Sequence, residues 1–136
     1  MAAVYDAISG PAGPRDWDRF RSLFVPEGRL IAVGRNREGQ VGKQVMEVED
    51  YITRADPYFS ENGFFEREIA RTTEHFGHIA HAFSTYESRG SADDPEPFAR
   101  GINSFQLLND GERWWVVTIY WEAEAPDLLI PDKYLP

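Results

Sequence analysis

The 136-residue chain contains no cysteine, which removes disulfides, thiolate metal sites, iron–sulfur clusters and a cysteine nucleophile, and fits a reducing compartment. Basic residues are scarce as well: 14 Lys and Arg stand against 23 Asp and Glu, for a formal net charge of -9. So acidic a chain repels phosphate backbones and anionic membranes, and no basic run, zinc-type spacing or glycine-rich phosphate loop provides a local exception. Neither nucleic acid nor membrane is expected as a partner, and no cofactor is called for. No apolar run reaches the ~20 residues that a bilayer span requires, and MAAVYDAISG lacks the basic start and sustained apolar centre of a leader. The expected location is therefore cytoplasmic.

What the chain does have is aromatic mass. Four Trp, six Tyr and nine Phe make up 14% of the residues and hydrophobic residues 42%, too many to leave in water, so disorder is excluded and the length suits one domain over residues 1–136 around one core. Val4, Tyr5 and Ile8 recur at helical spacing before the breaker cluster Ser9 to Pro14. In DWDRFRSLF, Trp17, Phe20, Leu23 and Phe24 form one apolar stripe behind Asp16, a plausible N-cap. RLIAVG, residues 29–34, reads as a strand, and RNREGQVGKQ after it as a polar loop. EVEDYITRA carries Val48, Tyr51, Ile52 and Ala55 on one helical face, and Asp56-Pro57 signals a fresh turn, which predicts two helical pieces at 46–55 and 57–61.

From residue 64 the periodicity changes from helical to alternating, and turns at Phe76-Gly77, GSADDPEP and Asn109 to Glu112 divide the remainder into four antiparallel strands. If Asn109 faces Glu112, then Leu107 lies opposite Trp114, Phe105 opposite Val116, Asn103 opposite Thr118 and Gly101 opposite Tyr120. In the last strand, RWWVVTIYWE, neither face suits water: Trp114, Val116, Thr118 and Tyr120 share one side, Trp115, Val117, Ile119 and Trp121 the other. Helices from the N-terminal half would cover the first side, and a second copy of the chain about a two-fold axis the other, which predicts a homodimer. The apolar tail APDLLIPDKYLP, broken by prolines, is expected to strap either its own sheet or the neighbour's.

This order of elements, with the DWDRFRSLF helix, STYESR, RGINSFQLL and the Trp spacing of DGERWWVVTIYW, resembles the nuclear transport factor 2-like superfamily, particularly its SnoaL-like branch. The resemblance covers nearly the whole chain. It implies an α+β cystatin-like cone, with N-terminal helices packed in the concave face of a strongly curved, mainly antiparallel sheet, an internal cavity and dimerisation through the outer sheet face. It also implies a choice of activities: small-molecule binding, acid/base chemistry of the isomerase, dehydratase or cyclase kind on an apolar carbonyl compound, or non-catalytic protein binding.

Small side chains at Ala80, Ala82 and Ser84 leave room on the face they share with Tyr86. A pocket for a small apolar ligand is therefore expected among Trp17, Tyr58, Tyr86, Asn103, Thr118 and Tyr120, in keeping with apolar walls and a few polar anchors. Each tyrosine also has the plain reading of a core residue with a satisfied hydroxyl. Glu122 continues the inward parity past Tyr120 and is the first carboxylate to test; His81, of opposite parity to Ala80 and Ala82, is the second acid/base candidate. Asp16 and Asp56 read as helix caps and Asp18 as solvated. His75, His78 and His81 cannot converge, because His81 points to the other side of its strand, so no metal site is expected.

Overall fold

The computed structural model describes residues 1–136. Three helices, α1 (Ala2–Ile8), α2 (Trp17–Ser22) and α3 (Val48–Glu61), lie with six strands: β1 (Phe24–Arg35), β2 (Val41–Glu47), β3 (Phe65–Phe76), β4 (Ile79–Arg89), β5 (Ala99–Asn109) and β6 (Trp114–Ala123). The strands form one sheet in the order β2-β1-β6-β5-β4-β3. All pairs are antiparallel except β1 with β6, which run parallel. The architecture is α+β, a curved sheet with its helices against one face. No helix is long and apolar enough to cross a membrane.

Each helix buries one stripe. α1 contributes Val4, Tyr5, Ala7 and Ile8, and α2 contributes Phe20, which joins Phe24, Leu30, Phe105 and Ile119 in the core. Asp16 caps α2 by accepting from the Arg19 N–H at 3.0 Å, as its position implies. Between the two helices Arg15 organises the glycine- and proline-rich turn. Its guanidinium donates to the carbonyls of Ile8, Gly10, Pro11 and Gly13 at 2.8–3.0 Å and lies 5.0 Å from the centre of the Phe59 ring.

Two expectations about local structure are corrected here. α3 is continuous through Pro57: the Trp17 indole donates to Asp56 at 2.9 Å, and Phe59 is buried between Trp17 and Phe64, so packing on both sides of the proline holds the helix together against its missing N–H. Asp56 is thus an indole acceptor inside the helix, not a cap. Residues 41–44, expected in a loop, and 46–47, expected in the first helical piece, belong to β2, an edge strand in which only Met46 is buried. A solvated edge carries no apolar alternation to reveal it.

The largest correction concerns β6. Its pairing with β5 shifts at Val117: Leu107 faces Val116, but Gln106 faces Thr118. The extra residue is a β-bulge, and it reverses the parity of everything beyond it. Ile119 and Trp121 therefore turn inward against the core, while Tyr120 and Glu122 turn outward. The hairpin register moves too, with Asn109 opposite Trp114 across a turn in which Asp110 accepts from the Glu112 and Arg113 N–H groups. The expected dry outer row of Trp115, Val117, Ile119 and Trp121 does not exist. Trp115 instead donates its indole N–H to Asp110 at 2.8 Å, with the Arg113 guanidinium 3.3 Å from its ring centre.

The tail straps its own sheet. Thr85 donates to the Tyr134 carbonyl at 2.6 Å, Phe83 meets the Tyr134 ring, and the Ile130 N–H reaches Glu124 at 3.0 Å.

Candidate functional site

β3 and β4 bring the polar residues of the interior together. A second bulge, at Ile69, separates the pairs Glu68 with Tyr86 and Ala70 with Thr85. Before it, Glu66 and Glu68 alternate onto the inner face; after it, the reversed parity puts Arg71 on that same face. Without the extra residue, Arg71 would lie on the side opposite Glu68. The partner strand β4 supplies Ser84, Tyr86 and Ser88 to the inside, all buried, and β5 supplies Asn103.

Of these, Glu66, Tyr86, Ser88 and Asn103 border a hollow of roughly 250 Å3 between helices and sheet, and Glu68, Arg71 and Ser84 lie outside its lining. Its walls are mainly apolar, including Phe20, Phe64, Phe105 and Trp121, and its polar groups are Glu66, Ser88, Asn103, Tyr51 and Tyr86. Glu66 is its only acid, and no Lys or Arg borders it. The carboxyl accepts from Asn103 Nδ2 and from Ser88 Oγ, both at 3.3 Å. Burial dominates over these two neutral donors and pushes the Glu66 carboxyl up to about 7. Burial likewise raises the Tyr51 and Tyr86 phenols well above the usual range, with the nearby Glu66 charge adding to it. The Tyr86 ring lies across Gly101, where a Cβ would stand 2.4 Å from the phenol oxygen, so only glycine leaves that ring its place.

The arrangement is a proton-holding carboxyl in an apolar chamber, with phenols beside it. A group whose proton affinity sits near neutrality can give or take a proton without a large penalty in either direction.

Of the residues expected at the site, Tyr86 and Asn103 border the hollow. Trp17 packs behind it, engaged with Asp56, Phe20 and Phe59. Tyr58 is 49% exposed on the outside of α3. Thr118 is buried within the sheet at the bulge, and its hydroxyl has no partner. Tyr120 and Glu122 face outward, into a second hollow of roughly 350 Å3 under the tail, with Phe83, Ile102 and Leu129. The placement of Thr118, Tyr120 and Glu122 inside is corrected by the bulge at Val117. His81 stands on the outer face in contact with Glu74 at 3.0 Å, both exposed. His75 pairs across the hairpin with Ala80 and not with His78, because the tight turn is Gly77-His78, with Gly77 at φ +55°. No group of three His, Asp or Glu side chains converges for a metal ion.

Glu66 escapes a reading by pattern. In FEREI, Glu66 and Glu68 share one face while Phe65, Arg67 and Ile69 share the other, and hydrophobicity turns the glutamates outward. The usable signal was across the strand, where Ser84 and Tyr86, assigned inward with Ala80 and Ala82, require polar neighbours on β3.

No protein-family model matches the chain, and no curated protein matches it. Solved structures do. A protein of unknown function with a cystatin-like fold from Nostoc punctiforme superposes with a TM-score of 0.67 at 12% identity, covering 93% of this chain and 86% of that one. A cystatin-like protein from Caulobacter vibrioides gives 0.62 at 14% identity, over 92% and 84% of the two chains. An NTF2-like protein of unknown function from Silicibacter pomeroyi gives 0.58 at 14%, over 90% and 87%. The chain has the cystatin-like α+β fold of these NTF2-like proteins. The likeness at this identity concerns the fold, and it does not single out the SnoaL-like branch.

Proposed function

We propose that the protein binds a small, largely apolar organic ligand in the hollow inside the cone, and that Glu66 is the group around which the ligand is held. One observation carries this reading: a carboxyl opens into an apolar chamber with no cation against it and only the neutral donors Asn103 and Ser88 as partners. A core built for stability alone would exclude such a group or pair it. The outer hollow, bordered by Glu122 and Glu124, is the weaker candidate, because Glu124 is engaged by Arg100 and the Ile130 N–H and Glu122 is only half-buried.

A second reading, acid/base catalysis on an apolar carbonyl compound, is favoured by the Glu66 carboxyl standing at about 7 beside the Tyr51 and Tyr86 phenols. Glu66 would exchange the proton and a phenol would donate to the oxygen that gains charge. The hollow itself weighs against an adaptor that uses only its surface.

Both readings are tested with a panel of apolar ketones, lactones and epoxides, measured by thermal shift and for turnover on wild type and Glu66→Gln. Binding altered by the substitution supports the first reading, and turnover abolished by it supports the second. A panel that stabilises neither protein overturns the site.

The same reading includes a dimer. On the outer face Ile79, Phe83 and Tyr120, with Leu129 of the tail, are between 41% and 69% exposed, an apolar surface suited to a second copy. Sedimentation of Phe83→Glu as monomer, against dimeric wild type, is the expected result; a monomeric wild type refutes it. The absence of cysteine supports a reducing location, the cytoplasm.

A further inference from the structure

The interior contains more polar machinery than Glu66 needs for its own hydrogen bonds. Starting from the sheet edge, the Arg71 guanidinium holds Glu68 at 2.7 Å through Nη2 and at 3.0 Å from Nε to each carboxylate oxygen. Ser84 donates its hydroxyl to Oε2 of Glu68. The Ser84 oxygen lies 2.6 Å from the Tyr5 hydroxyl, and Asn103 Nδ2 donates to that hydroxyl at 3.0 Å and to Glu66 Oε1 at 3.3 Å. The result is an unbroken chain from a carboxylate at the edge to the carboxyl in the hollow.

The sense of the chain follows from its outer end. A carboxylate only accepts, so the Ser84 proton goes to Glu68. Ser84 must then accept from Tyr5, and the Tyr5 oxygen must accept from Asn103. An amide has a nitrogen side and an oxygen side of nearly the same shape, and this sequence of donors selects the nitrogen. That nitrogen also faces Glu66, where an N–H favours the ionised carboxyl and an amide oxygen would favour the protonated one.

We propose that Glu68 is a positioning residue for the Glu66 site: by fixing the donor sense of Ser84, Tyr5 and Asn103, it keeps an amide N–H on Glu66 and sets how readily that carboxyl ionises. The inference rests on the reading of the hollow as the functional site and adds a point of control outside it. Five groups bear on the titration of Glu66, namely Asn103, Ser88, Tyr51, Tyr86 and Tyr5. Around Glu68 stand Arg71, Ser84, Tyr5 and the N-terminal ammonium of Met1.

Glu68→Gln separates this coupling from simple electrostatics, because the two predict opposite signs. Arg71 donates twice to Oε1 and once to Oε2, so the oxygen of the new side chain takes the Oε1 position and its amide nitrogen the Oε2 position, where it donates to Ser84. The chain then reverses: Ser84 donates to Tyr5, Tyr5 to Asn103, and the Asn103 oxygen turns toward Glu66. The Glu66 midpoint should rise by roughly one pH unit. Removing a nearby negative charge would by itself lower it. Ser84→Ala, which changes no charge and little volume at a fully buried position, cuts the chain and should also raise the midpoint.

The measurement is the carboxyl 13C titration of glutamate-labelled, ligand-free full-length protein, with Glu66 assigned by its loss in Glu66→Gln. A rise in both variants is the expected result. A fall or no change in either overturns the proposal. Because no ligand is used, a failed ligand search would refute the functional reading while this titration stands or falls separately.

Discussion

Replacing Glu66 by Gln tests the chamber most directly, through the pH dependence of folding. The carboxyl is raised from 4.5 to about 7 by burial, so the folded chain keeps a proton there that the unfolded chain releases. Stability falls as pH rises from 4.5 toward 7 and is level on either side, because that is the window in which the folded state binds more protons. The interval corresponds to roughly 3 kcal/mol at about 1.4 kcal/mol per tenfold change in proton affinity. Water entering the open hollow reduces the realised effect to about 1–3 kcal/mol.

Gln keeps an oxygen at the Oε1 position to accept from Asn103, its amide nitrogen at the Oε2 position donates to the Ser88 hydroxyl, which turns to accept, and it has nothing to ionise. The variant should match wild type at pH 4 and exceed it at pH 8. With an unfolding entropy of about 2.1 cal/mol/K per residue, 2 kcal/mol for a chain of this length is a rise of roughly 7 °C in Tm. Thermal and urea unfolding of both proteins from pH 4 to 8 measures the difference, in which all other titrating groups cancel. A gap that does not change with pH, or a wild type that is the more stable at pH 8, would refute the reasoning.

Three further outcomes are expected. Gly101→Ala places a Cβ 2.4 Å from the Tyr86 hydroxyl and 2.6 Å from the Glu122 carbonyl; it should cost about 1–3 kcal/mol in urea unfolding and weaken any ligand that stabilises wild type. Arg15→Ala removes the donors to four backbone carbonyls and should cost about 2–3 kcal/mol, with hydrogen exchange at residues 9–14 rising most. Thr85→Val loses the bond to the Tyr134 carbonyl, should cost about 1 kcal/mol, and should expose the tail to proteolysis after Lys133 sooner than in wild type.

Much of the fold was legible in the chain because it depends on local pattern. Trp17 and Phe20 announced α2, which ends at Ser22 with the stripe's Phe24 opening β1, Asp16 announced its cap, and the change to alternation after residue 64 the antiparallel strands. The small residues Ala80, Ala82 and Ser84 marked the inner face of β4 correctly, and with it the inward placement of Tyr86. Asn103 was placed inside by counting from the turn, and its parity survives because the extra residue, Val117, lies on β6 and leaves the alternation of β5 intact.

Tertiary structure alone decided which carboxylate enters the chamber. The bulges at Val117 and Ile69 each insert one residue, and one residue reverses every later side chain on a strand whose period is two. The first turned Glu122 and Tyr120 outward and Ile119 and Trp121 of the expected dimer-facing row inward. The second set Arg71 beside Glu68. A bulge leaves no reliable mark in hydrophobicity, since its energy comes from the curvature of the whole sheet around its helices. Composition and periodicity therefore determined the kind of layers this chain forms; the sheet, once bent, determined which polar groups those layers enclose.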